Sequence, residues 1–303
     1  MISSSGIKRS WRRVDGVLLL DKPGGMTSNS ALQSARRLFS AAKAGHTGTL
    51  DPLATGLLPV CFGEATKFSA DLLDADKTYE ADLLFGVTTD TADAEGEPVL
   101  CRPVEFSRAE LDAALLRFHG PIRQIPPMYS ALKRDGQPLY KLARQGIEVE
   151  RKAREVTISR LELMEHAGER ARLRVSCSKG TYIRTLAEDI GEVLGCGAHL
   201  TALRRTAVGD LHIADAVTLD RLQELSEESR AHCLLAPDAL LQTLPAVHLE
   251  SDAMSRFVHG NPVNPGSVQG CSGKCRVYGD GRLLGLAEVD AEGRVHPRRL
   301  VAA

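Results

Sequence analysis

The 303-residue chain predicts an α+β fold. The first domain is a mixed, mostly antiparallel β-sheet flanked by helices and loops; a small β-rich unit follows it. Two observations point there. Strand-length runs, alternating or wholly apolar, cluster along the chain with only a few segments of helical period between them. After Thr243 the pattern changes to brief alternating strands separated by Asp280-Gly281 and Glu292-Gly293 turns. The expected division is residues 1–245 and 246–303. The second piece, roughly 60 residues, is close to the smallest size that folds alone.

In order, "DGVLLLDKPGG" is a short apolar strand closed by a Pro-Gly turn. "TSNSALQSARRLF" offers Thr27 or Ser28 as N-cap, with Ala31, Leu32, Ala35 and Leu38 near helical period. "GHTGTLDPLAT" is a loop leading into the strand "GLLPVCFG", and "TYEADLLFG" alternates as another strand. "SRAELDAALLRF" is a helix capped by Ser107. "EVTISRLELMEH" and "ARLRVSCSKG" are antiparallel neighbours joined by "AGER". "TYIRTLAEDIGEVLG" turns into a helix that stops at glycine, and "AHLTALRRTAVGDL" returns as a strand. "VTLDRLQEL" is the last helix of the first domain. The helix "SDAMSRFVHG", then "GSVQG" and "CRVYGDGRLLGLAEVDAEGRV", make up the appendage.

Composition is ordinary for a globular protein, 43% hydrophobic and 25% charged. No apolar run approaches the roughly 20 residues that span a bilayer, and the N-terminal stretch lacks a signal-peptide pattern, so the expectation is a cytoplasmic protein without a membrane partner. Seven scattered cysteines do not form a disulfide framework. Cys271 and Cys275 lack a second ligand pair at zinc spacing, so they are read as plain thiols and no metal is expected. The net charge of -1 hides an uneven distribution: Lys133 to Glu155 carries seven Lys/Arg against four Asp/Glu, and Arg170 to Arg205 seven against three. Such stretches form either solvated surfaces or a face that neutralises phosphates.

Several chemistries are excluded by pattern. "GHTGTLD" lacks the Gly-Lys-Ser/Thr ending of a P-loop, and no G-x-G-x-x-G follows a strand. "DTADAEG" misses the ligand spacing of an EF-hand and reads as an acidic loop. What remains is a metal-free, cofactor-free site using Asp, Arg and Tyr: Asp51 in "GHTGTLDPLATGLLPV", Tyr79 in "KTYEADLLFG", and Tyr182 with Arg184 in "SKGTYIRTLAEDIG". Each has a plain alternative. Asp51 could cap its own turn, Tyr79 could be a core or edge residue, and Arg184 could pair with Glu188 along its helix.

Taken together with "LLLDKPGGMTSN", "IPPMYSALK" and "HLTALRRTAVG", these segments resemble the TruB family of bacterial tRNA pseudouridine-55 synthases, in order and through nearly the whole chain. The resemblance implies an isomerase that detaches uracil from its ribose, turns it and rejoins it through carbon 5, in the T-loop of tRNA. It implies base flipping, since the sugar is otherwise out of reach. Asp51 matches the essential aspartate, Arg184 its cationic partner, and Tyr79 the residue that stacks on the target base. Tyr182 matches a pocket tyrosine suited to assist proton removal from C5, and Leu203 an apolar wall. His46 matches the residue that fills the space left in the T-loop. Lys22 matches a lysine that supports the catalytic loop. Gly45 and Gly48 are expected to serve close backbone approach or positive φ. The basic segment within about 124–155, with Lys133, Lys141, Arg144 and Arg151, corresponds to the family's RNA-gripping insertion, and 246–303 to a PUA-like RNA-binding module.

The implied partner is tRNA, without guide RNA or an obligate protein partner, and a tRNA-folding role is compatible with such binding. The rival readings are a non-catalytic tRNA-binding or tRNA-folding protein, a guide-RNA-dependent synthase, and a glycosidase using Glu80 or Glu188 beside Asp51.

Overall fold

The computed structural model describes residues 10–130, 132–134, 136–265 and 271–302. The "GSVQG" stretch and the first nine residues lie outside them. The α+β expectation is borne out. In chain order the strands that position the site are β1 (Gly16–Lys22), β2 (Thr55–Phe62), β3 (Lys77–Phe85), β4 (Gly120–Gln124), β5 (Arg154–Ala167), β6 (Arg170–Cys177), β7 (Ala198–Val208) and β8 (Val217–Thr218). They lie side by side as β8-β1-β2-β7-β3-β6-β5-β4. The β1–β8 and β2–β7 pairs are parallel and the other neighbours antiparallel.

Strand alternation sorts the side chains. On β3, Ala81, Leu83 and Phe85 are buried with Leu173 and Val175 of β6 and Leu200 and Leu203 of β7. The opposite face carries a charged ladder: Arg172 to Asp82 at 2.7 Å and Arg174 to Glu80 at 3.1 Å, each partner directly across the β3–β6 register. Such half-exposed pairs contribute little stability each, but they set which face meets water.

The helices cover the apolar side. α1 (Ser28–Phe39) begins at Thr27, whose hydroxyl accepts the Ser30 N–H at 3.0 Å. It buries Ala31, Leu32, Ala35 and Phe39 against Leu18, Leu20, Leu58 and Val60. Phe39, four residues after Ala35, completes the buried stripe, and Leu38 packs partly buried against the same core. α2 (Arg108–Leu116) has a complete capping box between Ser107 and Glu110. α3 (Ile183–Val193) presents Ile183, Leu186, Ala187 and Ile190 inward, the i, i+3, i+4, i+7 stripe of a helix lying on a core.

The C-terminal part makes its own sheet, β9 (Ala246–His248), β10 (Gly273–Gly279), β11 (Arg282–Val289) and β12 (Val295–Leu300), with α4 (Ser251–Val258) packed through Phe257. Leu286 of β11 joins Val17, Leu57 and Phe68 in a core shared with the first sheet. Lys67 Nζ donates to the Leu300 carbonyl at 2.9 Å and Tyr278 to Asp238 at 2.6 Å. Cys275 is buried with Phe257 in the core of the C-terminal sheet, and the Cys271 thiol donates to the Ala246 carbonyl.

The parallel β2–β7 contact depends on one glycine. Gly56 has φ +100, and a Cβ there would lie 2.3 Å from the Arg205 carbonyl oxygen. Gly56→Ala is therefore expected to cost about 3 kcal/mol or more, combining overpacking with backbone strain. Urea unfolding measures it; an unchanged midpoint would mean the strands can part freely here.

Candidate active site

Asp51 sits on the loop between α1 and β2, and this loop is clamped from three sides. The Ser28 hydroxyl donates to the Leu50 carbonyl at 3.0 Å and accepts the Leu50 N–H at 2.8 Å. The Gly25 N–H donates to the Pro52 carbonyl at 2.9 Å. Lys22, at the end of β1, is fully buried, and its ammonium donates to the carbonyls of Pro23 at 2.8 Å, Met26 at 2.6 Å and Pro52 at 3.4 Å. Burial pushes the Lys22 pKa down to about 8, although the charges of Glu95 and Asp51 pull upward. The lysine therefore ties the Pro-Gly turn after β1 to the Asp51 turn.

The Asp51 carboxylate makes no hydrogen bond to the backbone of its own turn among the described residues; its partner is Arg184, with Nη2 3.1 Å from Oδ2. Arg184, the second residue of α3, is 5% exposed. Nη1 donates to the Thr91 carbonyl at 3.1 Å and Nη2 to that of Tyr129 at 2.7 Å. Nη1 also lies 3.3 Å from Oδ2 of Asp93. Burial raises the Asp51 pKa above the usual carboxylate range, the Arg184 charge opposes this, and the Asp93 charge adds to it.

Asp93 was not singled out by its sequence, and the reading of "DTADAEG" as a plain acidic loop needs correction. Asp93 is 2% exposed; its Oδ1 accepts the Thr91 hydroxyl at 2.6 Å and the Glu95 N–H at 3.0 Å. Its loop is strapped to β7 by Ala94 N–H to the Leu200 carbonyl at 2.9 Å and Leu200 N–H to that of Ala92 at 3.1 Å, with Ala92 at φ 60. A residue with a Cβ seldom holds that backbone conformation unless its surroundings enforce it. No spacing motif announces Asp93; only the fold brings it to Arg184.

A cavity of about 280 Å³ opens beside this network, lined by Asp51, Tyr79, Tyr182, Arg184, Leu203 and Arg205 among others. The β-sheet register explains three of them. Tyr79 lies opposite Arg205 of β7 and Val175 of β6, and Leu203 stands two residues before Arg205 on the same face. Burial raises the Tyr79 pKa, partly offset by the Arg205 charge. Tyr182 is held by a reciprocal pair: its N–H donates to the Gln124 side-chain oxygen at 3.0 Å, and the Gln124 amide donates to its carbonyl at 3.2 Å. Gln124 is 1% exposed at the end of β4, so this pair fixes where α3 begins.

Of the other residues in the sequence reading, Gly48 lines the cavity, whereas His46, Gly45 and the basic Lys133, Lys141, Arg144 and Arg151 lie outside its lining. His46 is half-buried on the short strand Ala44–His46 against β2, two residues before the cavity-lining Gly48, with Nδ1 buried and unpartnered. Burial, then the Arg205 charge, lower its pKa. Gly48 has the expected positive φ, +106, but Gly45 does not, and a Cβ on Gly45 would meet only Thr66 at 4.0 Å. Residues 125–153 carry a short hairpin, Lys133–Arg134 with Gln137–Pro138, and the helix Leu139–Ala143. Lys133, Lys141 and Arg144 are exposed on it. Arg151 differs: Nη1 donates to the Pro126 carbonyl at 3.2 Å and Nη2 to Glu148 at 3.1 Å, so it ties the two stems of the segment together. Glu80 faces the charged ladder away from the cavity. Glu188, one turn beyond Arg184, has no ion-pair partner among the described residues and is raised to about 7 by burial and by the Asp189 charge.

Three models from one family tile most of the chain. The TruB pseudouridylate synthase N-terminal domain matches residues 36–183, the tRNA pseudouridylate synthase B C-terminal domain residues 184–244, and the pseudouridine synthase II TruB C-terminal model residues 245–301. The chain is 62% identical to the tRNA pseudouridine synthase B of Dechloromonas aromatica (strain RCB), over 97% of this chain and 98% of that protein. It is 55% identical to the protein of that name from Aromatoleum aromaticum, over 100% of this chain and 97% of that one. This chain belongs to the TruB family. It is a pseudouridine synthase, an isomerase. Among solved structures, a chain of the Cbf5–Nop10–Gar1 complex matches with TM-score 0.69 and 26% identity, covering 90% of this chain and 78% of that one. A chain of the archaeal box H/ACA sRNP Nop10–Cbf5 complex shares the fold, with TM-score 0.72 and 24% identity over 97% of this chain and 90% of that one. No helix among the described residues is long and apolar enough to cross a membrane.

The lowered Lys22 pKa gives this TruB chain a pH signature. With a folded value of about 8 against an ordinary 10.5, the unfolded chain binds more protons between those pH values, so the Lys22 contribution to stability rises with pH across that window. Lys22→Met loses the hydrogen bonds of Nζ, three for the ammonium and at most two for the neutral amine, and also loses this slope. Urea unfolding at pH 7 and pH 10 is expected to give a wild-type curve steeper in pH than the variant's. Parallel curves would mean Lys22 keeps an ordinary pKa.

Proposed function

We propose that the chain converts uridine-55 in the T-loop of tRNA to pseudouridine, acting without a guide RNA, with Asp51 as the catalytic residue. The observation that carries this reading is the Asp51 carboxylate, partly open to a cavity and backed by a buried arginine rather than by its own turn. The relatives' tRNA-specific name supports the substrate. A T-loop nucleotide leaves its stack at a cost of a few kcal/mol, less than a base inside a duplex.

In this reading the flipped uracil stacks on Tyr79, an interaction worth about 1–3 kcal/mol for a stacked base, with Leu203 as the apolar wall. Asp51 acts on the ribose, either at C1′ or at the proton on C2′; the C1′–N1 bond breaks, the ring turns, and C5 bonds to C1′. The C5 proton leaves toward Tyr182, and N1 takes up a proton, so atoms balance without redox change. Arg184 keeps Asp51 ionised despite burial and fixes its direction, while Asp93 fixes Arg184 in turn. His46, at the cavity's edge, fills the gap left in the loop.

The basic segment grips the T-arm through Lys133, Lys141 and Arg144, and Arg151 keeps it in shape. Residues 246–303 act as a PUA-like RNA-binding unit, with the domain boundary at 245/246.

Release of tritium from tRNA made with 5-tritiated uridine tests the central claim. Wild type is expected to release it, and Asp51→Asn to release none while still binding tRNA; release by the variant would remove Asp51 from the chemistry. Arg184→Gln is expected to move the acid midpoint of the rate–pH profile upward, since Arg184 opposes the effect of burial on Asp51. A downward move would contradict the pairing. Replacing Lys133, Lys141 and Arg144 with Ala should weaken tRNA binding and reduce its salt slope by about 3, whereas Arg151→Ala should lower protection of the segment from proteolysis. An unchanged slope in the triple variant would sink the gripping role.

A further inference from the structure

Arg205 is the largest fully buried side chain among the described residues, 1% exposed, and it lines the same cavity as Asp51. Its bonding is incomplete. Nε donates to the Leu57 carbonyl at 2.7 Å and the guanidinium is hydrogen-bonded to the Tyr79 hydroxyl, while Nη2 is buried without a hydrogen-bond partner among the described residues. No carboxylate among the described residues lies within ion-pair distance of it, whereas Arg184 has two and the adjacent Arg204 pairs with Asp21 at 2.7 Å on the other face of the sheet. Lys77, on the same face and two residues before Tyr79, is also buried and bonds only to the carbonyls of Leu73 and Ala75. A buried guanidinium without an anion is costly, and such a deficit persists where a ligand supplies the missing charge. Arg205 is directly opposite Tyr79 and lines the cavity with it, so an anion held in the cavity against Tyr79 would lie beside the guanidinium.

We propose that Arg205 is the counter-charge of the detached base: its guanidinium stabilises the uracil anion formed when the C1′–N1 bond breaks and holds it while the ring turns. This rests on the reading of the site given above, in which uracil stacks on Tyr79. The electron pair of the broken bond stays on the ring and is shared with O2 and O4. Turning the ring about its N3–C6 axis exchanges N1 with C5 and O2 with O4, so a fixed donor that faced one carbonyl oxygen before the turn faces the other after it. Arg205 thus serves both ends of the rearrangement without moving. The C5–C1′ bond then forms, C5 loses its proton and N1 gains one, and no further reactant is consumed. A preorganised donor in a dry site is most effective where charge develops during reaction.

The test uses single-turnover tritium release at saturating T-arm RNA, with RNA affinity and thermal unfolding measured in parallel. Arg205→Met is expected to react about a hundredfold slower, with affinity unchanged within about threefold. With 5-fluorouridine at the target, whose base anion is intrinsically more stable, the deficit is expected to shrink at least about tenfold; fluorine stays on C5, which has no proton to lose, so the reaction ends at the C5-linked, non-aromatic nucleoside or its hydrate, read by nuclease digestion and chromatography. Arg205→Lys, which keeps the charge, is expected to lose at least about tenfold less than Arg205→Met. Where Arg205→Met does not fold, Arg205→Lys against wild type on the two substrates carries the comparison. Equal rates in wild type and variant overturn the proposal. So does an equal deficit on uridine and 5-fluorouridine, which marks a structural role. A loss of affinity and salt slope with the saturating rate intact assigns Arg205 to a phosphate and overturns it too. Absence of release by wild type rejects the reading of the site itself, whereas release by wild type and an unimpaired Arg205→Met rejects only this inference.

Discussion

The structure of the site depends on one buried cation. Arg184 ties three separate segments to the start of α3: the Asp51 loop, the Thr91–Asp93 loop and the backbone at Tyr129. A guanidinium out of water must have its charge answered and its N–H groups bonded, or the fold loses several kcal/mol. That requirement makes the loops mutually dependent. Asp93 accepts from its own loop and faces Arg184, and Ala92 keeps an uncommon backbone conformation to present it.

Around that cation, regular structure is used to remove freedom. β1 ends in Lys22 and α1 begins at Ser28, and both bond to the loop carrying Asp51. Gln124 at the end of β4 fixes the residue before α3. The Asp51 side chain itself remains 41% exposed, at the point where the cavity reaches it. A reactive group on a loop thereby gains the rigidity of the sheet, as a positioned reagent needs.

The two arginines that line the cavity differ in how their charge is met. Arg184 is answered by two carboxylates within the protein. Arg205 is held by the Leu57 carbonyl and the Tyr79 hydroxyl, with no carboxylate among the described residues to meet its charge. The first is a device for holding an aspartate; the second has the polarity of a binding site for something negative. Both sit on the apolar face of the sheet, while the opposite face spends its arginines on cross-strand pairs with Glu80 and Asp82.

Much of the fold was legible in the sequence because its signals are local. Alternation identified β3, β5 and β6, Ser107 announced one helix start and Thr27 or Ser28 another, and the Asp280-Gly281 turn marked a hairpin. Asp51, Tyr79, Tyr182, Arg184 and Leu203 were legible from motif resemblance, and they line one cavity. Three things were decided only by tertiary structure. Asp93 becomes a partner of Arg184 across about ninety positions, through a loop whose local pattern is that of any acidic turn. Arg205 faces Tyr79 because of a strand register, although its place two residues after inward-facing Leu203 was a signal in the alternation. Arg151 ties its segment together instead of offering its charge outward, since a basic residue's direction depends on which carbonyls come within reach. Sequence by itself determined most elements and their faces, because those follow from period, caps and spacing, and it carried the family's reagents through motif resemblance. Tertiary structure decided which charges are answered inside the protein and which are left for a ligand, because burial and pairing exist only between segments the fold has brought together.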